Sequence, residues 1–116
     1  MDQKQKEYKV TITKSAEKAF FEVIDYVLNF YTEERTLEIA EDLRLTPLSL
    51  KILPSRGRIE DNLLGRKHQF RFILYRQTNS VTVKIIYYVD ELEQEVFIVD
   101  YFPTKMDPIK ISKRAD

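Results

Sequence analysis

Residues 8–13, Tyr8-Lys9-Val10-Thr11-Ile12-Thr13, alternate large apolar or β-branched side chains with polar ones, the two-residue period of a half-buried strand. From Ala16 the period lengthens. Ala16, Phe20, Val23, Ile24, Val27, Leu28 and Tyr31 recur at helical spacings and predict one apolar stripe on a helix of about four turns. Thr13 or Ser15 stands where a cap is needed, and neither has a glutamate three residues on to complete a capping box. Thr32 precedes Glu33 and Glu34, a cap followed by carboxylates that oppose the positive end of a helix dipole. A second helix therefore starts there, with Leu37, Ala40, Leu43 and Leu45 as its stripe. Pro47 removes a backbone donor and ends it, while Thr46 can cap a short further turn carrying Leu48, Leu50 and Ile52 toward Leu53-Pro54. The short link between the two helices predicts an antiparallel hairpin.

Residues 54–66 hold both glycines and much basic charge, and read as an exposed connection. Three strand-like runs follow at 69–76, 81–89 and 95–102. Thr78-Asn79-Ser80 supplies a tight turn between the first two, and Asp90-Glu91-Leu92-Glu93-Gln94 a longer one, so the three form an antiparallel meander. In the middle run, Val81, Val83, Ile85, Tyr87 and Val89 share one face while Thr82, Lys84, Ile86 and Tyr88 share the other. Both faces are apolar enough for a central strand. The order is β-α-α-β-β-β, an α+β fold with the helical hairpin packed on one face of a four-stranded, mainly antiparallel sheet, the other face being left open. The whole chain, 1–116, reads as a single domain with flexible tails at 1–7 and 112–116; the basic-apolar alternation of the last residues either docks or frays.

Charge changes this picture more than composition does. The net charge is zero, yet 44–84 carries nine Lys/Arg against two Asp/Glu, whereas 1–43 carries six against ten. A basic middle inside a neutral chain suggests one anion-binding surface suited to RNA, DNA or an acidic protein segment. The chain has no cysteine, which removes disulfides, thiolate metal sites and a cysteine nucleophile and agrees with a cytoplasmic protein. One histidine makes no zinc cluster, and no apolar run approaches the roughly 20 residues that span a bilayer. No metal or other cofactor and no membrane partner are expected.

Several segments in this order resemble the RelE/ParE toxin superfamily of bacterial type II toxin–antitoxin and plasmid stabilisation systems. They are 8–13 followed by Ser15-Ala16, then Leu50 with Leu53-Pro54-Ser55-Arg56-Gly57-Arg58, the pairs Phe70-Arg71 and Tyr75-Arg76, and Phe102-Pro103-Thr104-Lys105-Met106-Asp107-Pro108. The likeness covers about residues 8–111. It implies a toxin held inactive by a cognate antitoxin. RelE-like members cleave ribosome-bound mRNA without metal; ParE-like members are similar in fold and act on DNA gyrase. A degenerate member that only binds a protein partner, or pairs as a homodimer, is the remaining alternative.

RNA cleavage needs a group to take the 2′-OH proton, one to protonate the leaving oxygen, and cations on the phosphate. The resemblance places the phosphate-contacting strand arginine on Arg71. The family usually has two apolar residues between this arginine and the next tyrosine, whereas Phe72-Ile73-Leu74 makes three here. Because side chains alternate, either Arg71, on the face of Ile73 and Tyr75, or Arg76, on the face of Phe70, Phe72 and Leu74, would meet the phosphate, with Arg71 the less core-facing. Lys67 and His68 fall where such enzymes place basic groups. Lys105 stands where many members have an arginine and lacks the bidentate fork. The expected catalytic set is thus Lys67, His68, Arg71 and Lys105. Arg56, Arg58, Arg66 and Arg76 are expected to bind RNA or another target, and Tyr87, Tyr88 and Tyr101 are candidates for stacking or acid roles.

Overall fold

The computed structural model describes residues 6–78 and 81–114. The tail positions 1–5 and 115–116 and the turn residues Asn79 and Ser80 lie outside them. Strand β1 (Lys9–Ile12) leads into α1 (Lys14–Leu28), and of the two cap candidates Thr13 takes the role, its hydroxyl accepting from the Ala16 amide at 3.2 Å. Ser15 instead donates to the Val99 carbonyl. The helix stops short of Tyr31, which packs against the core from the link. Helix α2 (Glu33–Leu45) is capped by Thr32, which accepts from the Arg35 amide, and a 3-10 turn over Thr46–Lys51 carries Pro47 at its start, as the sequence predicts.

The remaining strands are β2 (Arg58–Ile59), β3 (Arg71–Thr78), β4 (Val81–Asp90) and β5 (Glu95–Pro103). Their order is β1-β5-β4-β3-β2, with β1 parallel to β5 and every other pair antiparallel. The α+β architecture is as expected, and the sheet has five strands rather than four. The extra one comes from the segment read as a loop: Arg58 and Ile59 pair with Phe72 and Arg71, too short a run for alternation to betray.

Helices α1 and α2 cover one face, burying Ala16, Phe20, Val23, Val27, Ile39 and Leu43 against Tyr75, Val83, Ile85, Tyr87, Val96, Ile98 and Tyr101. The opposite face is not bare, contrary to the sequence reading. A second core of Leu63, Phe70, Ile86, Phe102 and Ile111 roofs part of it. Ile111 arrives on α3 (Ile109–Arg114), so the end of the chain docks, and Ser112 to Arg114 are helical rather than a loose tail.

A register shift in the β4–β5 ladder pairs Ile86 with Asp100 and Tyr87 with Ile98, making an extra residue on β5. Such a bulge re-aims side chains. Ile98 and Tyr101 both reach the helix-side core although they are three residues apart, and Asp100 between them turns to Arg114 at 2.7 Å.

Candidate functional site

The structure distributes the expected catalytic residues over three places. Arg71 lies opposite Tyr87 in the β3–β4 ladder and on the face of Tyr75, so it projects to the helix side, beyond the hairpin. Its face is therefore the main core's face, and Arg76, on the other face with Phe72 and Leu74, is the more exposed arginine. Arg71 donates Nη1 to the Gly57 carbonyl at 2.8 Å and Nη2 to Gln69 Oε1 at 3.2 Å. It thereby holds the 54–58 loop from one side.

Tyr87 holds the same loop from beneath. Its buried hydroxyl donates to the Pro54 carbonyl and accepts from the Gly57 amide at 3.0 Å. Burial pushes the phenol up, only partly offset by the Gly57 amide and the Arg71 and Arg56 cations, so it is no acid near neutrality. A Cβ on Gly57 would sit 2.2 Å from that oxygen and 2.8 Å from the Phe72 carbonyl, hence the glycine. Leu53, at the loop's entrance, has φ 54°, a left-handed conformation uncommon for a bulky residue, and its side chain is exposed. Arg56 is tied to the Ser49 hydroxyl, while Arg58 projects from β2 into solvent. These contacts give Arg71 a structural task that the sequence pattern did not reveal, because the partner is a backbone carbonyl 14 residues away.

Lys67 and His68 lie on the opposite face. The His68 ring stacks on Tyr88 at 3.9 Å and 9°, Tyr88 stacks on Phe97 at 5.1 Å, and Phe70 meets both His68 and Tyr88 edge-on. This aromatic row borders a cleft of about 390 Å³ whose rim carries Arg66, Lys67 and Arg114. Arg66 donates to the Ser112 carbonyl at 2.8 Å and so helps hold α3. Tyr88 is the one tyrosine of the three candidates placed for stacking; Phe97, which extends the row, and Arg114, which lines the cleft, gave no sequence signal, the first needing strand register and the second lying in a presumed tail. Lys105 is elsewhere again, exposed beside Tyr26 and Met106 at the flank of α1. Tyr101 is buried next to Phe20, and burial raises its phenol to about 12.

Two buried acids act on this face in opposite ways. Glu60, almost fully buried, accepts from Lys84 Nζ at 2.9 Å and from Asn62 Nδ2 at 2.8 Å. Burial alone would raise its carboxyl, and the hydrogen bonds from Lys84 and Asn62 overcome that and leave it lowered. Asp100 is raised: burial outweighs Arg114, and among the described residues its Oδ2 has no hydrogen-bond partner. An ionised Asp100 thus opposes folding above the ordinary carboxylate range, and the penalty disappears as the pH falls through its raised value. Arg114→Met is expected to lower Tm most at neutral pH and progressively less in acid, where Asp100 is protonated and needs no counter-ion; thermal melts across pH check this.

No protein-family model and no curated protein sequence matches this chain. Solved structures do. A chain of the chromosomal ParDE TA system from P. aeruginosa superposes with a TM-score of 0.62 at 12% identity, over 83% of this chain and 95% of that one. A chain of the toxin-antitoxin complex RelBE2 from Mycobacterium tuberculosis superposes with a TM-score of 0.50 at 16% identity, over 88% and 97%. The protein shares the fold of these ParDE and RelBE2 chains, a RelE/ParE-like fold. Among the described residues no group of His, Asp and Glu is arranged to hold a metal, and no helix is long and apolar enough to cross a membrane.

Proposed function

We propose that the protein is the toxin of a type II toxin–antitoxin pair, is held inactive in the cytoplasm by a cognate antitoxin, and acts by binding a protein target rather than by cutting RNA. The first part is a fold-level analogy, supported by a backbone likeness that spans 83% of this chain and 95% of the other. The observation that carries the second part is the separation of Arg71, Lys67 with His68, and Lys105 into three places. RNA cleavage needs its base, acid and cations within hydrogen-bond reach of one phosphate. Protein binding needs exposed apolar surface instead. The hairpin exposes Phe21, Leu28 and Leu37, the last at 70%, on a segment, 14–45, with eight acidic residues against four basic ones. Such a surface repels nucleic acid and suits a protein, for which DNA gyrase is the ParE-like precedent.

A second reading is favoured by one observation. The His68–Tyr88–Phe97 row offers stacking surface beside Arg66 and Lys67, the combination that holds single-stranded RNA. On that reading Lys67 or His68 handles the proton on ribosome-bound mRNA.

Induced expression in a bacterial host separates the two. The expected result is growth arrest with loss of plasmid supercoiling and intact transcripts, relieved by co-expressing a cognate antitoxin, to be sought in a short reading frame adjoining the gene. Transcripts cut inside translated codons, with the cuts lost in Lys67→Ala or His68→Ala, would establish the second reading. Harmless expression would remove the toxin assignment itself.

A further inference from the structure

Strand β3 has a bare outer edge. The Glu60 amide donates to the Phe70 carbonyl at 2.9 Å, which sets the parity of the strand: Phe70, Phe72, Leu74 and Arg76 turn their main-chain groups away from β4. Phe70 and Phe72 meet Glu60 and Arg58, and there β2 ends. Among the described residues, nothing on the main chain pairs with the outward amides and carbonyls of Leu74 and Arg76. Both side chains are exposed, on the face of Phe72. On the helix side the edge is bordered by α2, where the Tyr75 hydroxyl donates to Asp42 Oδ2 at 3.3 Å and Arg35 pairs with Glu38 at 3.0 Å.

We infer that this edge takes an extended segment of another protein as a sixth strand. The added backbone satisfies the four outward groups of Leu74 and Arg76, the most general source of affinity in strand addition. Side chains alternate across such a strand, so its two faces carry different demands. Those lying over Leu74 and Arg76 are apolar and acidic; those turned to α2 are basic, to meet Asp42. A second copy of this chain fits poorly. Pairing two β3 edges about a two-fold axis brings both sets of α2 carboxylates to the same side, and β3 holds no acidic residue to set against Arg76.

The test uses the full chain, ¹⁵N-labelled, and the capped peptide acetyl-Lys-Val-Lys-Glu-Lys-amide. At millimolar peptide, the Leu74 and Arg76 amides are expected to shift and to exchange about tenfold more slowly with solvent, as a newly formed ladder bond requires. The same peptide N-methylated at Val and Glu keeps every charge but cannot bond the edge, and is expected to bind at least about tenfold more weakly. Leu74→Pro removes an outward N–H that β4 does not use, so the ladder to β4 persists while the response to the peptide is lost. Unchanged Leu74 and Arg76 amides, or equal binding by the N-methylated peptide, would overturn the inference and leave Arg76 as a guard against edge pairing.

Discussion

Lys84→Met is expected to cost about 3 kcal/mol of folding stability, the low end of the range for removing one partner of a buried ion pair. Glu60 is the reason. Its side chain is 1% exposed, and Lys84, itself 20% exposed and lying over the Phe72 ring at 4.3 Å, is the cation that compensates its burial. The partial exposure of Lys84 keeps the cost at the low end, since water already screens the pair. Methionine keeps the contact with Phe72 and strands the carboxylate. The double variant Glu60→Met, Lys84→Met should recover most of the loss, because two apolar side chains do not need each other's charge. Urea unfolding at neutral pH measures both. The pH dependence gives an independent reading. In the native protein Glu60 is lowered, so its contribution is complete above the ordinary carboxylate range and fades as the pH falls through the lowered value. Without Lys84, burial is opposed only by Asn62, so acid unfolding should begin at higher pH. A Lys84→Met protein as stable as the parent would show that Glu60 finds water or another cation.

Gly57→Ala is the second large effect, about 2–4 kcal/mol from overpacking together with a disrupted hydrogen bond. The added methyl meets the Tyr87 oxygen and the Phe72 carbonyl, and neither is the end of a flexible chain. Tyr87 must move, which frees the Pro54 carbonyl and the Gly57 amide together. Tyr87→Phe isolates the hydrogen bonds from the packing and should cost less, about 1–3 kcal/mol. Since the 54–58 loop carries Arg56 and Arg58, both variants should also loosen it. Limited proteolysis after these arginines, unchanged in Gly57→Ala, would sink the claim that Tyr87 and Arg71 hold the loop.

The helical hairpin was legible because its signals are local. Thr13 and Thr32 cap their own helices, Pro47 opens its own turn, and the α1 stripe marks its buried face apart from the exposed Leu28. In α2 the expected Leu37 and Leu45 are exposed, and Thr36 and Ile39 are buried beside Leu43 instead, because the helix packs on a face turned from the expected stripe. The alternation along β4 likewise gave both faces, since a central strand is buried on each side whatever its neighbours are. The candidate site was much less legible. A strand arginine facing an unseen surface looks the same in sequence whether it meets a phosphate or, as Arg71 does, the carbonyl of Gly57. His68 gave no hint of Tyr88, nor Tyr88 of Phe97, because cross-strand neighbours depend on register.

Read alone, the chain determined its element types, the hairpin and the α+β class, all products of periodicity and capping within a few residues. The fifth strand, the docking of α3 over the second face, the turn of Asp100 at its bulge and the scattering of the expected cations were decided only by tertiary structure. The physical reason is the same for each: they depend on which distant main-chain groups and side chains pair, and pairing is a property of register and chain path rather than of spacing along the sequence.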